Sequence, residues 1–148
     1  GVFGFTAYSS SKFALRGLAE VLQMELKPKG AAVTVVFPPD TNTPGLEAEN
    51  KDKPEETKLV SETAGLFEPE DVARDVISGM KSGAFTTFTG LDGWMLTKLT
   101  CGMSPQPHPL QALIEVTVLP LLRLISLVYL HSFDRTIAEY QRKKAKNN

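Results

Sequence analysis

The chain has 148 residues, 42% hydrophobic and 22% charged, an ordinary composition for one domain with enough apolar residues to bury a core. A formal net charge of -1 argues against nucleic acid as a partner, which would call for a concentrated basic surface. A single cysteine, Cys101, excludes an internal disulfide framework and a Cys-rich metal centre, and it suits a reducing compartment; no metal site is expected. Charge is nevertheless uneven, with 10 Lys and Arg against 14 Asp and Glu over residues 1–109, and 6 against 3 over residues 110–148.

Gly1-Val2-Phe3-Gly4-Phe5 reads as a loop already under way and not as a signal peptide, so we expect a piece of a longer protein. A helix is predicted from an N-cap at Thr6 towards Lys27, carried by Ala14, Leu18, Val21 and Leu22 and stopped by Pro28 and Gly30. Tyr8 and Lys12 then share one helix face. A phenol is a weak proton donor or acceptor near neutral pH, and a nearby ammonium favours its phenolate, so Tyr-x-x-x-Lys is a tunable acid or base. The same spacing also describes a packed Tyr beside a solvated Lys.

Ala31 to Phe37 is a β-branched, nearly continuous apolar run, the pattern of a strand buried on both faces of a parallel sheet. Helix followed by strand is half of an α/β repeat. The next stretch, residues 38–45, holds three prolines and a glycine, either as a plain turn or as a ligand loop at the carboxyl end of the strand. Residues 46–66, rich in Glu and Lys, read as a mobile or partly helical excursion over that site, of the kind that forms lids, or as a solvated charged loop. Pro69, with Glu68, Glu70 and Asp71 around it, opens a helix through Met80 that Gly83 ends, and Phe85 to Thr89 has strand composition.

From Leu91 to Met103 the chain is mixed and amphipathic, and Ser104-Pro105-Gln106-Pro107-His108-Pro109 is a rigid polar break. His108, between two prolines, is not expected to be catalytic. Four parts are therefore expected: a folded unit at 1–103, the break at 104–109, an apolar segment at 110–134 and a basic polar tail at 135–148. The apolar run is long enough to cross a bilayer, since ~20 residues suffice. Glu115, Arg123 and Pro120 inside it favour a tilted, re-entrant or interfacial helix, with Arg142, Lys143, Lys144 and Lys146 against anionic head groups. A helix in a dimer interface is the alternative.

Tyr8-Ser9-Ser10-Ser11-Lys12-Phe13-Ala14, followed by a long helix and a β-branched run ending in Pro38-Pro39, resembles the catalytic segment of the short-chain dehydrogenase/reductase family. The double-proline loop, Leu91-Asp92-Gly93-Trp94-Met95-Leu96, Leu99-Thr100-Cys101-Gly102-Met103 and the apolar C-terminal stretch are similar, more particularly, to the branch that reduces 3-ketosphinganine. The resemblance implies the carboxyl-terminal part of a Rossmann-like doubly wound parallel sheet, followed by an apolar membrane-associating helical segment. It implies Tyr8 as proton donor and Lys12 as its tuner and ribose anchor. Pro38, Thr41 and Thr43 fall in the family's cofactor loop, with Pro39 where Gly is usual.

By that resemblance the cofactor is NADPH, the substrate a 3-ketosphinganine-like lipid and the product sphinganine. The setting it implies is the endoplasmic reticulum membrane, with the catalytic part facing the cytosol and a homo-oligomer possible. The family's glycine motif and its catalytic Ser would precede Gly1, so the 148 residues alone are expected to be inactive. Rival readings are another membrane-associated short-chain reductase, acting on steroids or retinoids, and a non-catalytic fragment that binds a membrane or a partner helix.

Overall fold

The computed structural model describes residues 1–61, 65–106 and 108–147. Helix α1 spans Thr6–Leu26 and a 3-10 turn at Lys27–Lys29 follows, ending on Gly30 in the left-handed conformation. Pro28 and Gly30 therefore stop the helix as their chemistry requires. Its start differs slightly from expectation. Phe5 holds the N-cap position without a side-chain hydrogen bond, and Thr6 is already helical, because the Ser9 amide donates to the Phe5 carbonyl.

Strand β1 is Val35–Phe37, shorter than the run from Ala31. Residues before it are engaged elsewhere: the Val33 amide donates to the Gln23 side chain at 2.7 Å, and the Thr34 hydroxyl donates to the Ala84 carbonyl at 2.8 Å. β-Branched composition thus marks the strand, but side-chain competition for the backbone sets its length. Nor is β1 buried on both faces, for Val36 is exposed. Strand β2, Thr86–Phe88, pairs with β1 in parallel, with Val35 opposite Thr86 and Phe37 opposite Phe88.

The crossover between these strands is helical. It contains α2 (Pro44–Asp52), α3 (Glu55–Ser61) and α4 (Pro69–Lys81). Over residues 46–61 the partly helical reading therefore holds and the plain charged loop does not, while part of the expected segment, residues 62–64, lies outside the described residues. Helix α3 is packed, with Thr57 fully buried and its hydroxyl donating to the Phe3 carbonyl at 2.6 Å. A buried hydroxyl needs such a partner, so this bond ties α3 to the segment leading into α1.

Helix α4 lies against β2. A Cβ at Gly79 would stand 2.7 Å from the Thr87 side chain, so glycine is what permits this approach. Helix α5 (Gly90–Leu99) follows β2 at once, and Gly93 sits so near the strand ends that a Cβ there would be 3.1 Å from Phe88 Cβ and 3.9 Å from the Phe37 carbonyl. That contact places α5 at the carboxyl ends of both strands.

Helix α6 (Pro109–Asn147) is a single helix of 39 residues that contains both the apolar run and the basic end, with Pro120 inside it. It packs on α3 and α5 and buries Leu122, but Leu110, Val116, Leu124 and Val128 remain exposed. Its most apolar stretch has a mean hydropathy of 2.0 and is long enough to cross a membrane; only 6% of it is buried. A helix apolar on all sides calls for an apolar surround.

Candidate active site

Helix α1 puts Tyr8, Lys12 and Arg16 on one face at intervals of four residues. The Lys12 ammonium lies 5.0 Å from the centroid of the Tyr8 ring, within cation–π range, and the Phe5 ring flanks Tyr8 at 5.3 Å. Neighbouring hydroxyls turn back onto the helix: Ser10 donates to the Thr6 carbonyl and Ser11 to the Tyr8 carbonyl. The serines are thereby satisfied locally, and Tyr8, which is 51% exposed, presents its ring to open space.

The loop after β1 is held by backbone pairing. Phe67 donates to the Asp40 carbonyl at 3.0 Å and accepts from the Asn42 amide at 2.9 Å, which makes a parallel bridge between Thr41 and Phe67 beyond the strand ends. The Thr41 hydroxyl donates to the Pro39 carbonyl at 2.9 Å. The Thr43 hydroxyl accepts from the Leu46 amide at 3.2 Å and so caps α2. Both threonines shape the loop through its own backbone.

Between α1, the end of β1 and α5 lies a cavity of about 710 Å³, whose wall includes Tyr8, Lys12, Arg16, Pro38 and Pro39. The structure thus brings Tyr8, Lys12 and Pro38 together, whereas Thr41 and Thr43 are not in that wall. Sequence reading missed the residues that complete it: Arg16, one turn beyond Lys12, and, at intervals of four, Asp92 and Leu96 on α5 and Thr100 at its C-cap. The two series of four-residue steps were the available signal, but nothing in sequence said that they face one another.

A polar cluster fastens the two helices at one end. Arg16 donates to the Cys101 carbonyl at 2.6 Å and to the Ser104 hydroxyl at 2.7 Å, and Ser104 donates to Glu20 at 2.6 Å. Arg16 also pairs with Glu20 at 3.3 Å. The Ser104 hydroxyl first, and the Arg16 guanidinium after it, hold the Glu20 carboxyl below its usual range against the opposing effect of desolvation.

Residues 1–54, which contain Tyr8, Lys12 and the 38–43 loop, match the family model described as short chain dehydrogenase. Over 146 residues, 99% of its length, the chain is 53% identical to the 3-ketodihydrosphingosine reductase of Mus musculus, covering 44% of that protein. The segment that carries Tyr8 and Lys12 is thus similar to the short-chain dehydrogenases. The chain is also 56% identical over 137 residues to the 3-dehydrosphinganine reductase of Danio rerio, covering 93% of the chain and 41% of the relative. A 3-dehydrosphinganine reductase of Arabidopsis thaliana is 42% identical over 139 residues, covering 94% and 43%. The chain thus spans less than half the length of these curated relatives. No solved structure matches it.

The short-chain dehydrogenase match over residues 1–54 implies a nicotinamide nucleotide, and one end of that cofactor fits the residues present. Tyr8 and Lys12 set hydrogen-bonding groups one turn apart on a cavity wall, beside the carboxyl end of a parallel strand, where such ligands bind. Among the described residues the phosphates have no matching cradle. Gly90 and Gly93 do open a helix directly after β2, but a Cβ at Gly90 would lie 2.7 Å from the Phe67 ring, and Gly93 packs on Phe88. Asp92 between them adds a carboxylate to the first turn, the wrong sign for a phosphate. These glycines serve packing.

Proposed function

We propose that this chain is the carboxyl-terminal part of an NADPH-dependent reductase that converts 3-ketosphinganine to sphinganine in sphingolipid biosynthesis. The observation that carries the reading is the Tyr8–Lys12 pair in the wall of the strand-end cavity, in a chain 53% identical to a 3-ketodihydrosphingosine reductase. In this reading residues 1–103 belong to a doubly wound Rossmann-like domain, to which β1 and β2 contribute two parallel strands. Residues 104–109 are the break before the membrane-associating segment 110–134 and the basic tail 135–148. Pro38, Thr41 and Thr43 lie in the cofactor loop, where the two threonines act by shaping its backbone.

When bound, a reduced nicotinamide supplies the hydride that goes to the ketone carbon. As the carbonyl bond's electrons come to rest on oxygen, the Tyr8 phenol donates its proton there, which is general acid catalysis placed where negative charge develops. Lys12 stabilises the phenolate that remains, until a solvent proton restores it. The net result is a secondary alcohol.

Because the phosphates need a glycine-rich turn that these residues do not supply, the 148-residue chain alone is expected to be inactive and to show no saturable NADPH binding. Calorimetric titration checks this; a saturable isotherm would contradict it.

The apolar surface of α6 supports a membrane setting, for which we propose the endoplasmic reticulum with the catalytic part on the cytosolic side. Full-length protein should sediment with membranes, and removal of residues 110–148 should release a large share of it. Fractionation with high-salt and alkaline carbonate washes tests this. Recovery of the intact protein in the soluble fraction at low salt would sink the membrane claim.

A further inference from the structure

Tyr8 sits in the first turn of α1, and that turn has no side-chain cap. Phe5 holds the N-cap position without a side-chain hydrogen bond, and Tyr8 is the third residue beyond it. An uncapped helix start relies on outside partners to fix its course. Here the fixing element is the turn that precedes it. The Phe5 amide donates to the Val2 carbonyl at 3.1 Å, which closes a four-residue turn, and Gly4 at its third position has a φ of 78°. Phe3, at the second position, has a negative φ, as every described non-glycine residue has. These are the signs of a type II turn, whose central peptide faces opposite to that of the commoner type I.

The Phe3 carbonyl belongs to that central peptide, and it is the group that Thr57 holds. Thr57 is fully buried, and its hydroxyl donates to this carbonyl at 2.6 Å. A Cβ at Gly4 would stand 2.8 Å from Pro54 Cγ and 3.0 Å from the Thr57 hydroxyl oxygen, so the start of α3 is seated directly on the turn. Flipping the central peptide would part the carbonyl from its donor and leave a buried hydroxyl without its acceptor. From the turn the path to the phenol is short. The Phe5 carbonyl accepts the Ser9 amide at 2.7 Å, and the Phe5 ring lies 5.3 Å from that of Tyr8, tilted by 43°. All these contacts lie inside the chain and depend on no free surface.

We propose that Thr57 is a positioning residue for the proton donor: by fixing the Phe3 carbonyl it sets the turn at residues 2–5 and, through Phe5, the direction in which Tyr8 presents its phenol. The inference rests on the assignment of Tyr8 as proton donor, and it adds α3 to the apparatus that aims it.

The test uses the full-length protein with 3-ketosphinganine and NADPH. Thr57→Val exchanges the hydroxyl for a methyl group of similar size, and Thr57→Ser keeps the donor. A misplacement of about 1 Å can cost on the order of a hundredfold in rate, so Thr57→Val should lower kcat by at least about tenfold. NADPH affinity should be unchanged, and Thr57→Ser should restore most of the rate. The deciding measurement is a cycle with Tyr8→Phe. Once the phenol is gone there is nothing left to aim, so adding Thr57→Val to Tyr8→Phe should lower kcat by less than about twofold further.

A loss that multiplies in full with that of Tyr8→Phe would overturn the proposal, because a merely structural role acts whether or not the phenol is present. Parent-like kcat in Thr57→Val would overturn it too. Phe5→Leu removes the ring contact without touching α3, and it serves where Thr57→Val does not accumulate as folded protein. The same non-multiplying loss is expected of it, and a fully multiplying loss or none counts against the proposal. The underlying reading fails separately, through near-normal turnover by Tyr8→Phe alone.

Discussion

Replacing Tyr8 with phenylalanine in the full-length protein should, under the proposed ketone reduction, lower turnover by at least about a hundredfold while changing NADPH affinity little. The substitution removes one oxygen and its proton and keeps the ring that faces Phe5 and Lys12. General acid catalysis contributes typically ~10²–10⁴ in rate, so the loss falls on the chemical step, not on binding. Tyr8 is half exposed on α1, and among the described residues its hydroxyl makes no hydrogen bond that the substitution would break, so the fold should tolerate the change. Lys12→Ala should differ in kind. It removes the charge beside the phenol and the group proposed to hold the ribose, and both turnover and NADPH affinity should fall. Steady-state rates together with NADPH titrations separate the two variants. A Tyr8→Phe enzyme with near-normal turnover would remove the central assignment.

The second large effect concerns the joint between α5 and α6. Lys98 and Glu115 form an ion pair at 2.9 Å, and their side chains are only 7% and 15% exposed. The Gln106 amide donates to the same carboxylate oxygen at 2.9 Å, which closes the cluster from the linker side. Glu115 is therefore not the bare charge in an apolar helix that its place in the sequence suggests. Removing one member of a buried pair leaves the other uncompensated, at a cost of about 3–5 kcal/mol, whereas replacing both with apolar residues is often neutral. Lys98→Met should accordingly destabilise the protein by about 3–5 kcal/mol. The double variant Lys98→Met/Glu115→Leu should recover most of that loss. Denaturant unfolding of the detergent-solubilised full-length protein measures both. A single variant as stable as the parent would show that the joint contributes little. Exposed pairs such as Arg74–Asp71 should contribute far less, because solvent screens them.

Several features of this chain are local, and local features were legible. The course of α1 follows from its apolar spacing and from Pro28 and Gly30, so the Tyr8–Lys12 alignment was available from four-residue spacing alone. Helix α4, expected from Pro69 to Met80, spans Pro69–Lys81, since proline at a first turn and acidic residues around it act within one helix. The Phe85 to Thr89 strand appears as Thr86–Phe88.

What tertiary structure decided involves partners distant in sequence. Val33 and Thr34 leave β1 because Gln23 and Ala84 offer them hydrogen bonds. Within the Glu- and Lys-rich stretch, α3 packs on α6 and its buried Thr57 reaches the Phe3 carbonyl, partners more than 50 residues apart that local pattern does not reveal. Arg16 finds Ser104 and the Cys101 carbonyl more than 80 residues away, and Lys98 finds Glu115 across a proline-rich break. Periodicity reveals which face of a helix is special, but an isolated helix carries no record of what lies opposite. Only the tertiary fold, with Arg16 bonded to the Cys101 carbonyl just beyond α5, brought residues of the two helices into the wall of one cavity.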